Sequence, residues 1–303
     1  MLSRWLVYQK ERFPLAQYIP MMTVFGFCAV SFSMHLDDPH AAFGDASPAQ
    51  YLTAAATTLC WFMLLRVADE HKDYLDDCAY RPYRPVQRGL VSLRELRRIG
   101  VALGLIQIGL SLWIDSRLLL TLGAVYFWFA LMSAEFFVPA WLKARPTLYL
   151  LSHMIIMPFI DLYATSVEWL PRGGHFSPGL LFYMISSFCD GTVVEVGRKL
   201  RAPENEEYGV DTYTQIWGPR RAITVWLVCL TLSGISTVLA GFLVRVGFLL
   251  LAILSVLYIF AVAAALRFAS SPTPANAKFF TVFPGVWMLV MYCMLGLAPF
   301  FFM

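Results

Sequence analysis

Three observations predict an all-α protein that crosses a membrane many times. Hydrophobic residues make up 59% of the 303-residue chain and charged residues only 14%, against about 25% charged in an ordinary soluble domain. The apolar residues gather into nine runs close to the ~20 residues that one helix needs to span hydrocarbon. With the N-terminus placed in the cytosol, 20 of the 23 Lys and Arg residues fall on the cytosolic side. Such a bias sets the orientation of membrane helices.

The nine predicted spans cover 16–34, 50–68, 95–114, 118–138, 147–164, 177–197, 222–242, 247–267 and 282–302. The fifth is unusual in holding His153, Pro158 and Asp161. Residues 35–49 carry no Lys or Arg and suit an outer loop. Arg117, Arg172 and Arg245 are the three cations left on that side. Residues 270–278, SSPTPANAK, read as a plain loop. No run is long enough for a separate soluble domain, so residues 1–303 read as one membrane domain. The first residues, MLSRWLVYQKERFPL, show no cleavable signal pattern. The six cysteines form no CxxC pair, and five lie in apolar runs, so neither a disulfide framework nor a zinc site is expected. No nucleic-acid-binding module is evident.

Two polar islands interrupt this apolar pattern. The first runs from Arg66 to Arg98. It opens with Asp69, Asp73 and Asp77, spaced four apart, which on one helix stacks three carboxylates with a drift of about 40° per step. Such carboxylates repel each other, and a divalent cation converts the repulsion into coordination. Carboxylate oxygens suit Mg²⁺, which keeps some waters and takes further ligands from phosphate. The second island, 190–221, follows the sixth span as the first follows the second. It brings Asp190, Glu195, Arg198 and Lys199, then Arg201, Glu204, Glu206 and Glu207. The two positions divide the chain into four-helix halves that can face each other across a central cavity. Carboxylates there would hold metal, and Arg and Lys would hold phosphate oxygens.

These residues resemble the UbiA-type superfamily of intramembrane prenyltransferases. Asp69-x-x-x-Asp73-x-x-x-Asp77 is similar to its N/DxxxDxxxD motif after the second helix. Arg81-Pro82-Tyr83-Arg84-Pro85, then Arg88-Gly89-x-x-Ser92, resembles its RPxRPxxxGxxS element. Tyr208-Gly209-Val210-Asp211-Thr212 and Trp217-Gly218 resemble its GxxT/S…G near the second motif. That second motif is usually DxxxD; here Glu195-x-x-Arg198-Lys199 and Glu204-x-Glu206-Glu207 stand instead.

The resemblance implies nine helices around a central cavity and Mg²⁺ as cofactor. It implies an isoprenyl diphosphate substrate, with its tail in the bilayer, and an unknown acceptor. Metal would be held by Asp69, Asp73, Asp77, Asp190 and Glu195. Diphosphate would be held by Arg66, Lys72, Arg84, Arg88, Arg198 and Lys199. Ionisation would leave an allylic cation among aromatic faces such as Tyr126, Trp128, Tyr149 and Tyr183, each able to stabilise it by about 0.5–2 kcal/mol. Attack by an acceptor makes a prenyltransferase; attack by the tail's own double bond makes a terpene cyclase, which the superfamily also contains. Glu135, His153 and Tyr149 are possible pocket residues. Asp161 and Glu168 are expected at the outer interface. A transporter is the reading from another class, but the charges crowd at one face and leave no charged path across.

Overall fold

The computed structural model describes residues 2–302. Helix α1 (Leu2–Arg12) lies on the island face, followed by α2 (Leu15–Asp37) and α3 (Pro48–Lys72). Then come the short α4 (Tyr74–Tyr80), α5 (Leu93–Ile114), α6 (Leu118–Ser133) and the short α7 (Pro139–Lys143). Helices α8 (Pro146–Met154) and α9 (Ile156–Trp169) lead into α10 (Leu180–Arg198). The short α11 (Tyr213–Trp217), α12 (Pro219–Leu243), α13 (Gly247–Ser270) and α14 (Pro274–Gly296) complete the chain. No strand occurs among the described residues.

Every predicted span falls on a helix, but not every span is continuous or full length. Eight helices are long and apolar enough to cross a membrane, with α8 and α9 counted together. The fourth expected span ends at Ser133 rather than 138. At 1.5 Å per residue its 16 residues reach about 24 Å, short of a ~30 Å hydrocarbon core. Glu135, Phe136 and Phe137 then take positive φ angles of 47°, 54° and 61°, which reverse the chain. The fifth span breaks at Ile155. The cause is Pro158, whose ring removes the bond to the Met154 carbonyl and crowds it, so α8 stops there. The loop expected at 270–278 is half helix. Thr273 caps α14 by accepting from the Asn276 N–H, and Pro274 suits the first helical position.

Capping explains several sharp starts. Ser47 with Gln50 and Ser92 with Glu95 form reciprocal capping boxes at the heads of α3 and α5. Helix α9 occupies the middle of the bundle and packs on α2, α3, α6 and α10. Trp61, Trp226, Trp287, Tyr163 and Tyr183 are fully buried and fill the interior. Gly26 lets α2 and α3 touch, because a Cβ there would stand 2.5 Å from the Ala55 nitrogen. Two clefts of about 630 and 560 Å³ open in the fold. The first lies between the second island and the start of α14, the second between α3, α5 and α6. Neither draws residues from both islands, so the expected central cavity is not one of them.

Candidate active site between two polar islands

Helix α1 anchors the first island from outside. Arg12 donates to Glu70, whose side chain is completely buried, and Arg88 pairs with Glu11 at 2.8 Å. Tyr8 packs in a small cluster with Val86, Val91 and Leu96.

The three aspartates do not stack on one helix as their spacing predicts. Asp69 is on α3 and Asp77 on α4, while Asp73 sits between the two helices at φ −89° and ψ 5°. Their partners differ as well. Asp77 is buried and fully engaged, 3.0 Å from Arg81 and in contact with Arg84. Asp69 is half-exposed, with Arg66 at 3.4 Å. The Asp73 side chain makes no hydrogen bond or ion pair among the described residues, while its backbone N–H donates to the Asp69 carbonyl at 2.9 Å. Burial, and then the charge of Asp69, raise its carboxyl above its ordinary value. The first island therefore offers two under-compensated carboxylates, Asp69 and Asp73. The diphosphate roles expected for Arg84 and Arg88 are not free, because both are bound to carboxylates of the island and α1.

In the second island Glu195 contacts Arg198 and lies 3.0 Å from Lys199. Here the carboxylate is neutralised, and two cations are held in place by it. Lys199 also covers the Tyr213 ring at 5.4 Å and accepts its backbone N–H at 3.2 Å. Asp190 is elsewhere. It is fully buried inside the bundle and accepts from Ser233 at 2.6 Å. Five residues along α10 place it about 7.5 Å deeper than Glu195, so it does not join Asp69 and Asp73.

The islands meet directly. Tyr83 donates to Glu207 at 3.0 Å, and the Tyr80 and Tyr208 rings cross at 6.0 Å. Gly209 lies flat under Tyr80 with φ 73°, where a Cβ would come within 2.2 Å of the ring. Asp69 is within electrostatic reach of Arg198. Between them stand Lys72, Tyr149 and His153. Lys72 donates to the Tyr149 hydroxyl and is 3.9 Å from Glu135, and Tyr149 stacks on His153 at 4.1 Å. The charges of Asp69, Asp73, Glu135 and Glu195 all act on Tyr149. The Nε2 of His153 is buried without a partner. The three possible pocket residues thus gather with the first island and Glu195. Glu207 and Tyr83 were named within the second island and the RPxRP element but given no role, and Tyr213, which no local signal marks, was not singled out from the sequence.

No family model matches this sequence, and no curated protein is similar to it. Solved structures are similar along almost its whole length. An unliganded UbiA homologue from Aeropyrum pernix K1 aligns with a TM-score of 0.67 at 13% identity, covering 94% of this chain and 97% of the other. The fold is that of the UbiA homologues. Digeranylgeranylglyceryl phosphate synthase, with a TM-score of 0.63 and 13% identity, shares this UbiA fold over 98% of this chain and 99% of its own. So does an Archaeoglobus fulgidus UbiA homologue bound to GPP and Mg²⁺, with a TM-score of 0.57 and 13% identity, covering 93% and 98%.

Asp161 departs from the expected outer interface, whereas Glu168 stays at the loop end of α9 beside Arg172. Both are completely buried. Glu168 accepts from Ser33 at 2.8 Å and pairs with Arg172 at 3.1 Å, which holds it at the loop end of α9. Asp161 faces the bundle interior because the rotation of α9 turns it towards α10.

Proposed function

We propose that this protein ionises an allylic prenyl diphosphate with Mg²⁺ and transfers the prenyl group to an acceptor inside the membrane. One observation carries the reading: under-compensated Asp69, beside Asp73, lies within electrostatic reach of Arg198, which Glu195 holds together with Lys199. The Archaeoglobus UbiA homologue that binds GPP and Mg²⁺ supports it through the shared fold. A carboxylate pair of this kind fits a hard divalent ion that shares phosphate oxygens. Mg²⁺ bound there neutralises the charge that develops on the leaving diphosphate.

The protein's own groups do the remainder. Arg198, Lys199, Arg66 and Lys72 bind phosphate oxygens, and Glu195 keeps Arg198 and Lys199 oriented. Asp77 fixes Arg81 and Arg84 as a rigid floor. The tail extends into the apolar bundle, away from water that would quench an allylic cation. The excess of Lys and Arg on the island face supports a cytosolic position for both islands.

The test is incubation of purified protein with labelled C10, C15 and C20 allylic diphosphates. Mg²⁺-dependent pyrophosphate release that EDTA abolishes is the expected result. No release from any of the three overturns the reading. A cyclic hydrocarbon formed without acceptor assigns a cyclase instead.

A further inference from the structure

The interior of the bundle holds a polar cluster that the diphosphate site does not use. Asp161 on α9 and Asp190 on α10 are both completely buried and act on each other electrostatically. Around them lie the hydroxyls of Ser187, Tyr183 and Tyr292. Ser187 lies within hydrogen-bonding reach of Asp161 and of Tyr292. Oδ2 of Asp190 and the Tyr183 hydroxyl are buried without a hydrogen-bond partner, while Asp190 Oδ1 accepts from Ser233, which Trp287 orients at 3.0 Å. Among the described residues no cation pairs with either acid. The other titratable groups beside the cluster are Cys28 on α2, Cys189 on α10 and Cys293 on α14. Two acids and a tyrosine hydroxyl left short of partners inside a membrane bundle cost too much to be packing alone. Intramembrane acids in such a setting mark functional sites.

We propose that Asp161 and Asp190 form the acceptor subsite and bind a hydroxyl-bearing, membrane-soluble acceptor. The inference rests on the transferase reading above and names the acceptor class. A hydroxyl group donates to one carboxylate and accepts from a tyrosine, which matches the unmet atoms in kind. Depth agrees as well. Asp190 lies about 7.5 Å below Glu195 along α10, so an acceptor held there approaches the allylic carbon from the side opposite the diphosphate. In the reaction the acceptor oxygen bonds to the allylic carbon. The carbon–oxygen bond to the diphosphate breaks, with its electron pair leaving on the diphosphate. The hydroxyl proton passes to the carboxylate. Met154 and Met157 pack against Gly191, one residue from Asp190. Unbranched thioether side chains are the ones that swing aside most readily.

Two measurements test this, with 1-dodecanol as the probe acceptor and the full-length protein in detergent. In infrared difference spectra, dodecanol shifts the carboxyl band of the wild type and leaves that of Asp161→Asn/Asp190→Asn unshifted. No shift in the wild type overturns the proposal, whatever becomes of the diphosphate chemistry. In turnover with geranyl diphosphate, Asp161→Asn slows dodecyl ether formation by about 10²–10⁴-fold, the scale of a lost general base. Acceptor-independent pyrophosphate release and the KM for geranyl diphosphate stay at wild-type values. Equal loss of release and transfer assigns the cluster to structure and overturns the proposal. So does full transfer with an unchanged pH profile. Ser187→Ala, a milder change, weakens dodecanol binding without altering release and serves if the asparagine variants fail to fold.

Discussion

The two islands spend their carboxylates in opposite ways. In the first, Asp69 and Asp73 are left under-compensated while Asp77 consumes two arginines. In the second, Glu195 is saturated by Arg198 and Lys199. The same number of acids, six in each island, thus produces one surface suited to a cation and another suited to an anion. The proposed metal–diphosphate complex, positive on one side and negative on the other, would fit between two such surfaces. Counting acidic residues does not reveal this; their pairing does.

The sharpest way to break the contrast is to delete one acid from each side. Asp73→Ala should cut Mg²⁺-dependent pyrophosphate release by about 10²–10³-fold, the scale of losing a group that stabilises developing charge. Glu195→Gln should leave the Mg²⁺ concentration for half-activity unchanged and raise the KM for geranyl diphosphate. If both variants lose Mg²⁺ affinity equally, the islands do not differ in role. A smaller effect belongs to Arg198→Ala. Loss of charge-assisted hydrogen bonds should weaken geranyl diphosphate binding by about 10–100-fold in isothermal titration.

The smallest effect concerns the bridge between islands. Tyr83→Phe should lower stability by no more than about 1 kcal/mol, because Tyr83 and Glu207 are exposed. Arg201, hydrogen-bonded to Glu207, holds that carboxyl below its ordinary value. A lowered folded value means the contribution is present above the unfolded value and is lost as pH falls through the lowered one. The melting difference between wild type and Tyr83→Phe should therefore persist at mildly acidic pH and vanish only below the usual carboxylate range. A difference that disappears earlier would separate the bridge from Glu207.

Much of this was legible because it is local. Apolar runs gave the helices, and Pro158 already marked the weak point of the fifth. The spacing of Asp69, Asp73 and Asp77 drew attention to the first island. It misjudged the geometry, since spacing assumes a helix that continues through Asp73. Asp190 was assigned with the metal because sequence places it near Glu195, whereas five residues of helix carry it into the interior. The Asp161–Asp190 contact depends on how α9 and α10 are rotated against each other, and Gly209 meets Tyr80 across 129 positions of chain. Neither relation leaves a periodic trace.

The shortness of α6 has a consequence for the lipid around it. A span of about 24 Å cannot match a thicker hydrocarbon slab without local thinning, at a cost of a fraction of a kcal/mol per ångström. Headgroups must dip beside Ser133, close to where Lys72 meets Tyr149 and Glu135. Acyl-chain length thereby becomes a dial on this protein: reconstituted in bilayers of increasing thickness, it should feel the strain first at that corner.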